Sequence, residues 1–366
     1  MSQNVAAQKT AQSQRAGLLD SLRAVIEAVE PESFIALDEL LACHDRLKTG
    51  FDRDFERIAS LSDLLFSENI ENYGSRVTDI FKDWDAGGGG PSLPAIAALA
   101  IEKFGLDQSL PIVRAIMLAA VLGEYPNDLQ YHGNEHYRKV LSHALRIVAT
   151  HNAMNVGTGS VLNKDRLAVL LIGACIHDLG HEGGDNARDG VYTPGYMEQK
   201  AIDIARPYFE ALGLGREEMG EIETIVFCTD ITFFAGDNSP CVRMKKIYKH
   251  YFWSDESEDV SMMMMGKLRR YEDNPKLALM AMILHEADVA TSAGLSYEQT
   301  IKETIDIMEE RSITTAGPKT VLAFLREQLG ETMFTEASKR LFGDVMSQVI
   351  HRAESEIQQG RKTFYE

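Results

Sequence analysis

Four short segments hold the residues of this chain that could do chemistry: His132-Gly133-Asn134-Glu135-His136, His177-Asp178-Leu179-Gly180-His181, Thr229-Asp230 and Ala287-Asp288. Between them they offer several imidazoles and carboxylates in a chain with only 10 histidines. Zinc-like cations take imidazole nitrogens and harder divalent cations take carboxylate oxygens, so a mixed His/Asp set suits a site with one or two catalytic metals. The segments are scattered along the chain, which requires a fold to assemble them. Structural zinc modules are instead compact and rich in cysteine.

His177-Asp178 closes an apolar run, Leu167–Ile176. A buried helix end that delivers His and Asp side by side is costly unless something pairs with them, either a cation or each other. His181, four residues on, favours the cation. His44-Asp45 is the same dipeptide without that company and is given no role. His132 and His136 are four apart, which places both on one side of a helix or helical turn, as one metal ligand and one neighbour reaching substrate. Asp288 lies in the otherwise apolar stretch Leu279–Ala290, so it is either paired or ligating, or it shares a solvated face with His285 and Glu286.

The elements that position these residues are read as helices. Leu18, Leu19, Leu22, Val25, Ile26 and Val29 recur at three- and four-residue spacings, and similar amphipathic patterns follow around 34–46 and 51–66. Gly87–Gly90 with Pro91 and Ser92 cannot continue a helix. Helical periodicity then resumes to the end, and no glycine-rich phosphate loop follows a strand. The expected class is all-α: a compact multi-helix bundle with a disordered tail over 1–14, a helical N-terminal segment over 15–86, a Gly-rich linker over 87–92 and a catalytic domain over 93–366. The apolar faces of the N-terminal segment need a partner, either the bundle or a second copy of the chain in a homodimer. Met262–Met265 reads as adaptable core packing, ahead of a pocket wall.

Composition narrows the function. Of the 366 residues 45% are hydrophobic, ample for a core, and the net charge of -18 argues against a nucleic-acid polymer as partner. The four cysteines form no CxxC; Cys175 and Cys228 sit in apolar runs and read as reduced, buried thiols of a cytoplasmic protein. The polar N-terminus has no apolar signal region, and Leu167–Ile176 is too short to span a bilayer, so no membrane partner is expected.

In order and spacing, Tyr131-His132-x-x-x-His136, His177-Asp178-x-x-His181-x-Gly183-x-x-Asn186, Thr229-Asp230 and Ala287-Asp288-Val289 resemble the class I cyclic-nucleotide phosphodiesterases, a branch of the HD-domain metal phosphohydrolases. The resemblance covers about 93–350. It implies hydrolysis of a small-molecule phosphodiester, a 3′,5′-cyclic nucleotide converted to the 5′-monophosphate. His136, His177, Asp178 and Asp288 would hold the tighter of two divalent cations, zinc or another transition metal, and Asp178 would bridge to magnesium or manganese. A hydroxide between the metals would attack phosphorus, and His132 would protonate the leaving oxygen as general acid. His181, Glu198 and Asp230 resemble groups that orient metal-bound waters.

The chain also departs from the family's pattern. Glu182 replaces a usual proline, Gly133 a usual asparagine, and the residues after Asp230 lack a usual histidine. The family reads purines with a glutamine followed three residues later by a phenylalanine. At the corresponding offset stand Lys339 and Phe342, an ammonium that can only donate and an aromatic clamp. Together with Tyr131 they are the expected substrate-binding residues. Two alternatives stay open: an HD-type phosphohydrolase acting on a phosphomonoester or nucleoside triphosphate, and a domain that senses a nucleotide without cleaving it.

Overall fold

The computed structural model describes residues 17–29, 35–67, 73–232, 235–254 and 260–365, so the expected tail over 1–14 lies outside it. The described chain is all-α. After α1 (17–28) come α2 (Leu37–Ala59), α3 (Ser62–Phe66), α4 (Tyr73–Ala86), α5 (Leu93–Phe104), α6 (Pro111–Gly123), α7 (Asn134–Met154) and α8 (Lys164–Ile176). They are followed by α9 (Tyr196–Ala211), α10 (Arg216–Phe227), α11 (Pro240–Phe252), α12 (Pro275–Gly294), α13 (Tyr297–Glu310), α14 (Pro318–Ala323), α15 (Glu336–Ser338) and α16 (Asp344–Gln358). The described strands are two residues each: Ala187 pairs with Tyr192 and Arg188 with Val191 in a small antiparallel hairpin between α8 and α9. No helix among the described residues is long and apolar enough to cross a membrane.

Helix boundaries follow local chemistry. Asn163, Asn274 and Ser296 cap α8, α12 and α13 by accepting from the backbone N–H of Arg166, Leu277 and Gln299, satisfying donors that a helix start leaves free. Pro275 opens α12, where its missing N–H costs nothing. α12 is buried over nearly its whole length and runs through the core, packed on α7, α8, α10, α11 and α13; α8 in turn packs on α6, α7 and α10. The helices carrying the candidate site are thus neighbours in the most water-excluded part of the molecule.

The N-terminal helices lie on this bundle. α2 packs on α5 and α6, and α3 on α7. Tyr73 of α4 places its hydroxyl 3.3 Å from His143 Nδ1 of α7, and Asp85 at the end of α4 pairs with Lys139 at 3.1 Å. The 87–92 segment is a loop held to its neighbours: the Gly90 N–H donates to Glu135, and Arg57 donates to the Gly89 carbonyl at 3.0 Å. The methionine run differs from expectation. Met263 and Met264 pack against the core, but Met262 and Met265 are exposed, because the 3-10 turn Val260–Met262 ends within the run and the rest is non-helical. All four cysteines are buried free thiols.

Candidate metal centre and its surroundings

His177 ends α8 and Asp178 follows in a turn that Gly180, in the left-handed conformation (φ 74), redirects; a Cβ there would lie 2.5 Å from Ile204. α7 contributes His136 from its first turn, and α12 contributes Asp288 from its middle. Ligand atoms of His136, His177, Asp178 and Asp288 lie within 4.8 Å of one another. His136 Nε2 is 3.0 Å from Asp288 Oδ1 and 3.5 Å from Asp178 Oδ2. His177 Nε2 is 3.2 Å from Asp178 Oδ2, 3.7 Å from Asp288 Oδ1 and 3.3 Å from His136 Nε2. Four ligand atoms bound tetrahedrally at about 2.0–2.2 Å stand about 3.3–3.6 Å apart, so the cluster has the dimensions of one coordination shell.

The donor set also fits a cation chemically. The His177 Nδ1–H donates to the Ala174 carbonyl at 3.2 Å, which leaves the Nε2 lone pair for the cluster. Burial alone would lower the His177 pKa, but Asp178 and then Asp288 lift it to about 9. Burial would raise Asp178, yet His177 above all holds it well below the usual carboxylate range. Two imidazoles and two carboxylates facing one another in the core are thus held by mutual charge, the situation a divalent ion relieves.

The other expected residues ring this cluster. His132 precedes α7 by two residues rather than sharing its helix, because Gly133 is the N-cap; a Cβ at Gly133 would lie 2.3 Å from the Leu129 carbonyl oxygen. Its ring stacks on His181, centroids 3.8 Å apart. Burial and the neighbouring His132 push His181 down to about 4, and its Nδ1 accepts from the Gly183 N–H at 3.0 Å. Asp230 is buried and accepts from the Tyr192 hydroxyl (2.8 Å), the Gly195 N–H (2.9 Å) and the Thr232 N–H (3.0 Å). Glu198 Oε1 accepts weakly from Asn186 at 3.3 Å, and its Oε2 is buried without a partner. Burial, then Asp230 and Asp178, raise its pKa well above the carboxylate range. An orphaned acidic oxygen beside the cluster is a second feature that fits a cation and its waters.

Glu310, at the end of α13, is a functional candidate that sequence reasoning missed. Its Oε2 lies 2.6 Å from His132 Nδ1, and its Oε1 accepts from the Tyr131 and His132 backbone N–H groups. Burial would raise this carboxyl, but the bonds from His132 hold it below its ordinary value. Nothing in the sequence separates Glu310 from its neighbour Glu309.

Tyr131 packs on His136, ring centroids 4.9 Å apart, and its hydroxyl lies 3.3 Å from Ser292 Oγ, one turn beyond Asp288. A cavity of about 160 Å³ opens at this point, walled by Tyr131, Ile231, Met308 and Phe324. Arg311 and Gln328 also line it, and Arg311 Nε and Gln328 Oε1 are buried without partners. Lys339 and Phe342, expected from their offset to bind substrate, do not line this cavity. Phe342 is wholly buried against Tyr73, His143 and Gly294, and Lys339 pairs with Glu336 over the Trp253 ring. The reason is local: Lys339–Gly343 is a π turn, whose extra residue rotates the following side chains away from where an α-helix would point them.

No family model matches the chain, and no curated protein matches it in sequence. Among solved structures, that of LmjPDEB1 in complex with IBMX is 15% identical over 74% of this chain and 88% of that one, with a TM-score of 0.50. The phosphodiesterase domain of Salpingoeca rosetta rhodopsin phosphodiesterase is 15% identical over 73% and 88%, TM-score 0.48. The phosphodiesterase domain of the RhoPDE fusion protein from the same choanoflagellate is 14% identical over 80% and 92%, TM-score 0.47. The likeness to LmjPDEB1 assigns the fold, an all-α bundle of the kind that protein has, in agreement with the fold implied by the motifs.

Proposed function

We propose that this protein is a metal-dependent phosphodiesterase that hydrolyses a 3′,5′-cyclic nucleotide to the 5′-monophosphate. The observation that carries the reading is the convergence of His136, His177, Asp178 and Asp288 with a His132–Glu310 pair at the edge. In this reading those four residues hold zinc or another transition metal, and Asp178 also reaches a magnesium or manganese ion. Bound there, divalent cations would supply Lewis acidity toward phosphoryl oxygens and lower the pKa of water.

The protein's own groups do the rest. Glu310 accepts the Nδ1–H of His132 at 2.6 Å and fixes the ring, so that Nε2 is the atom from which His132 would serve the leaving oxygen as general acid. His181, kept neutral by burial and by His132, stacks on that ring and fixes its plane without competing for its charge. Asp230 and Glu198 would orient waters bound to a second cation. The cavity beside Tyr131 takes the base: Phe324 offers a ring face, and the Gln328 carboxamide, which can accept and donate, offers the edge contact that Lys339 was expected to supply.

Turnover with added Mn²⁺ or Mg²⁺ tests this. cAMP, cGMP, a pyrimidine cyclic nucleotide, bis(p-nitrophenyl) phosphate and dGTP are offered side by side, with Asp178→Ala as blank. A 5′-monophosphate formed by the native chain and not by the blank is expected. Triphosphate release from dGTP, or metal binding without any turnover, would overturn the assignment.

A further inference from the structure

A second cavity, about 570 Å³, is walled by α2, the 87–92 loop and Arg138 of α7. None of its walls belongs to the metal cluster. Arg46, Gly50, Arg53 and Arg57 follow one another along α2 at four-, three- and four-residue steps, so three guanidiniums share one face with a glycine between them. Glycine in a helix interior costs about 1 kcal/mol against alanine, and here it leaves backbone as the cavity floor. Opposite it, Gly87–Gly90 put four residues without side chains on the wall.

The cavity carries more cations than its carboxylates can pair. Four arginines meet Asp54 and Glu124. Asp54 already serves Arg53 (3.0 Å), Arg57 (3.8 Å) and the Ser92 N–H (3.3 Å). Arg138 is paired twice, with Glu124 (2.6 Å) and with Glu135, and Glu124 also accepts from the Leu93 N–H (2.7 Å). Arg46 donates to the Cys43 sulfur at 3.3 Å and has no carboxylate partner among the described residues. An independent observation comes from Ser92, which is 4% exposed and stands at the N-cap of α5. A serine there ordinarily accepts from the first turn, but this side chain makes no such bond, and its Oγ is buried on the cavity wall without a partner. A buried hydroxyl left unsatisfied costs about 1–3 kcal/mol.

We propose that this cavity is a binding site for a small phosphorylated anion, separate from the metal cluster. Guanidinium forks match phosphate oxygens, and a tetrahedral dianion has enough acceptors for several arginines and the Ser92 hydroxyl, where a planar carboxylate has not. The volume lies within the range of about 300–1,000 Å³ typical of ligand sites, so an organic group fits beside the phosphate. The wall is also tied to the cluster. Gly90 donates to Glu135 at 3.0 Å, and Glu135 immediately precedes His136, so an occupant contacts the helix that carries this candidate ligand.

Calorimetric titration of the full chain with inorganic phosphate and pyrophosphate, under chelator, tests the site. Asp178→Ala serves as the form unable to assemble a metal cluster. Saturable binding is expected in both the native chain and Asp178→Ala. It should weaken at least about tenfold in Arg46→Ala/Arg57→Ala, checked for native helix content by circular dichroism, and again in Ser92→Ala, which removes one oxygen atom. No saturable binding to Asp178→Ala at millimolar pyrophosphate, or undiminished binding in both the arginine and the serine variants, overturns the proposal.

Discussion

The chain contains the dipeptide His-Asp twice, at His44-Asp45 within α2 and at His177-Asp178 at the end of α8, and the two have opposite surroundings. His44 is buried, and its Nε2–H donates to the Leu19 carbonyl at 2.9 Å, which satisfies it within the protein. Asp45 turns outward, 57% exposed, and pairs with Arg23 at 2.7 Å. At His177-Asp178 both side chains point inward and meet another imidazole and another carboxylate at 3.3 to 3.7 Å. Residue type and adjacency are the same, and the difference is whether a second pair arrives from other helices. A His-Asp dipeptide therefore carries chemistry only through the company the fold gives it.

The largest test of this contrast is the paired substitution Asp178→Ala and Asp45→Ala. Asp178→Ala is expected to abolish stoichiometric metal by elemental analysis and to lower kcat/KM about a thousandfold or more, since metal activation is worth several kcal/mol. Asp45→Ala should retain metal and rate. Equal effects at the two positions would end the distinction. Next in size is the acid: His132→Ala should lower kcat about 10²–10⁴-fold with metal content unchanged. Glu310→Gln should lower it less, with a shift of the pH–rate profile that a merely structural role would not produce.

A pH experiment sharpens the comparison further. In cation-free protein His177 is raised to about 9, above the value of about 6.5 for a free imidazole. Such a group contributes stability that is fully present below about 6.5 and is lost as pH rises through about 9. The urea midpoint of chelated protein should fall across that window, and His177→Gln should flatten the profile. Metal binding must displace this proton, so titration at neutral pH should release acid in proportion to His177 occupancy. Smaller effects belong to the other dipeptide. His44→Ala should destabilise by about 1–3 kcal/mol by removing a buried side chain and its bond to the Leu19 carbonyl, with metal content intact. Asp45→Asn should stay within about 0.5 kcal/mol, as an exposed pair does.

Parts of the site were legible in advance for definable reasons. His177, Asp178 and Asp288 stood out because charged or ligating side chains in or against apolar helical runs have few uses other than pairing or ligation, and His136 through its four-residue spacing from His132 and the motif resemblance. Glu310 was not legible, being one of 55 acidic residues on an amphipathic helix, distinguished only by where α13 ends. Lys339 and Phe342 misled because an offset counted along the chain assumes α-helical phase, and the π turn at 339–343 breaks it. Phe324 and Gln328 lie in another such turn, Phe324–Gln328, and line the cavity instead.

What the sequence by itself determined is local: helical periodicity, caps and breaks, the glycine-rich interruption after α4, and the few segments where imidazole and carboxylate lie beside apolar runs. These depend on neighbours three or four residues away, and a chain cannot hide them. Only the tertiary structure decided which of the two His-Asp dipeptides acquired partners, which acid orients His132, which aromatic and amide line the cavity, and that α2 and the glycine loop enclose an arginine-lined pocket. Those outcomes depend on the packing of helices far apart in sequence, where a turn one residue longer redirects every side chain after it.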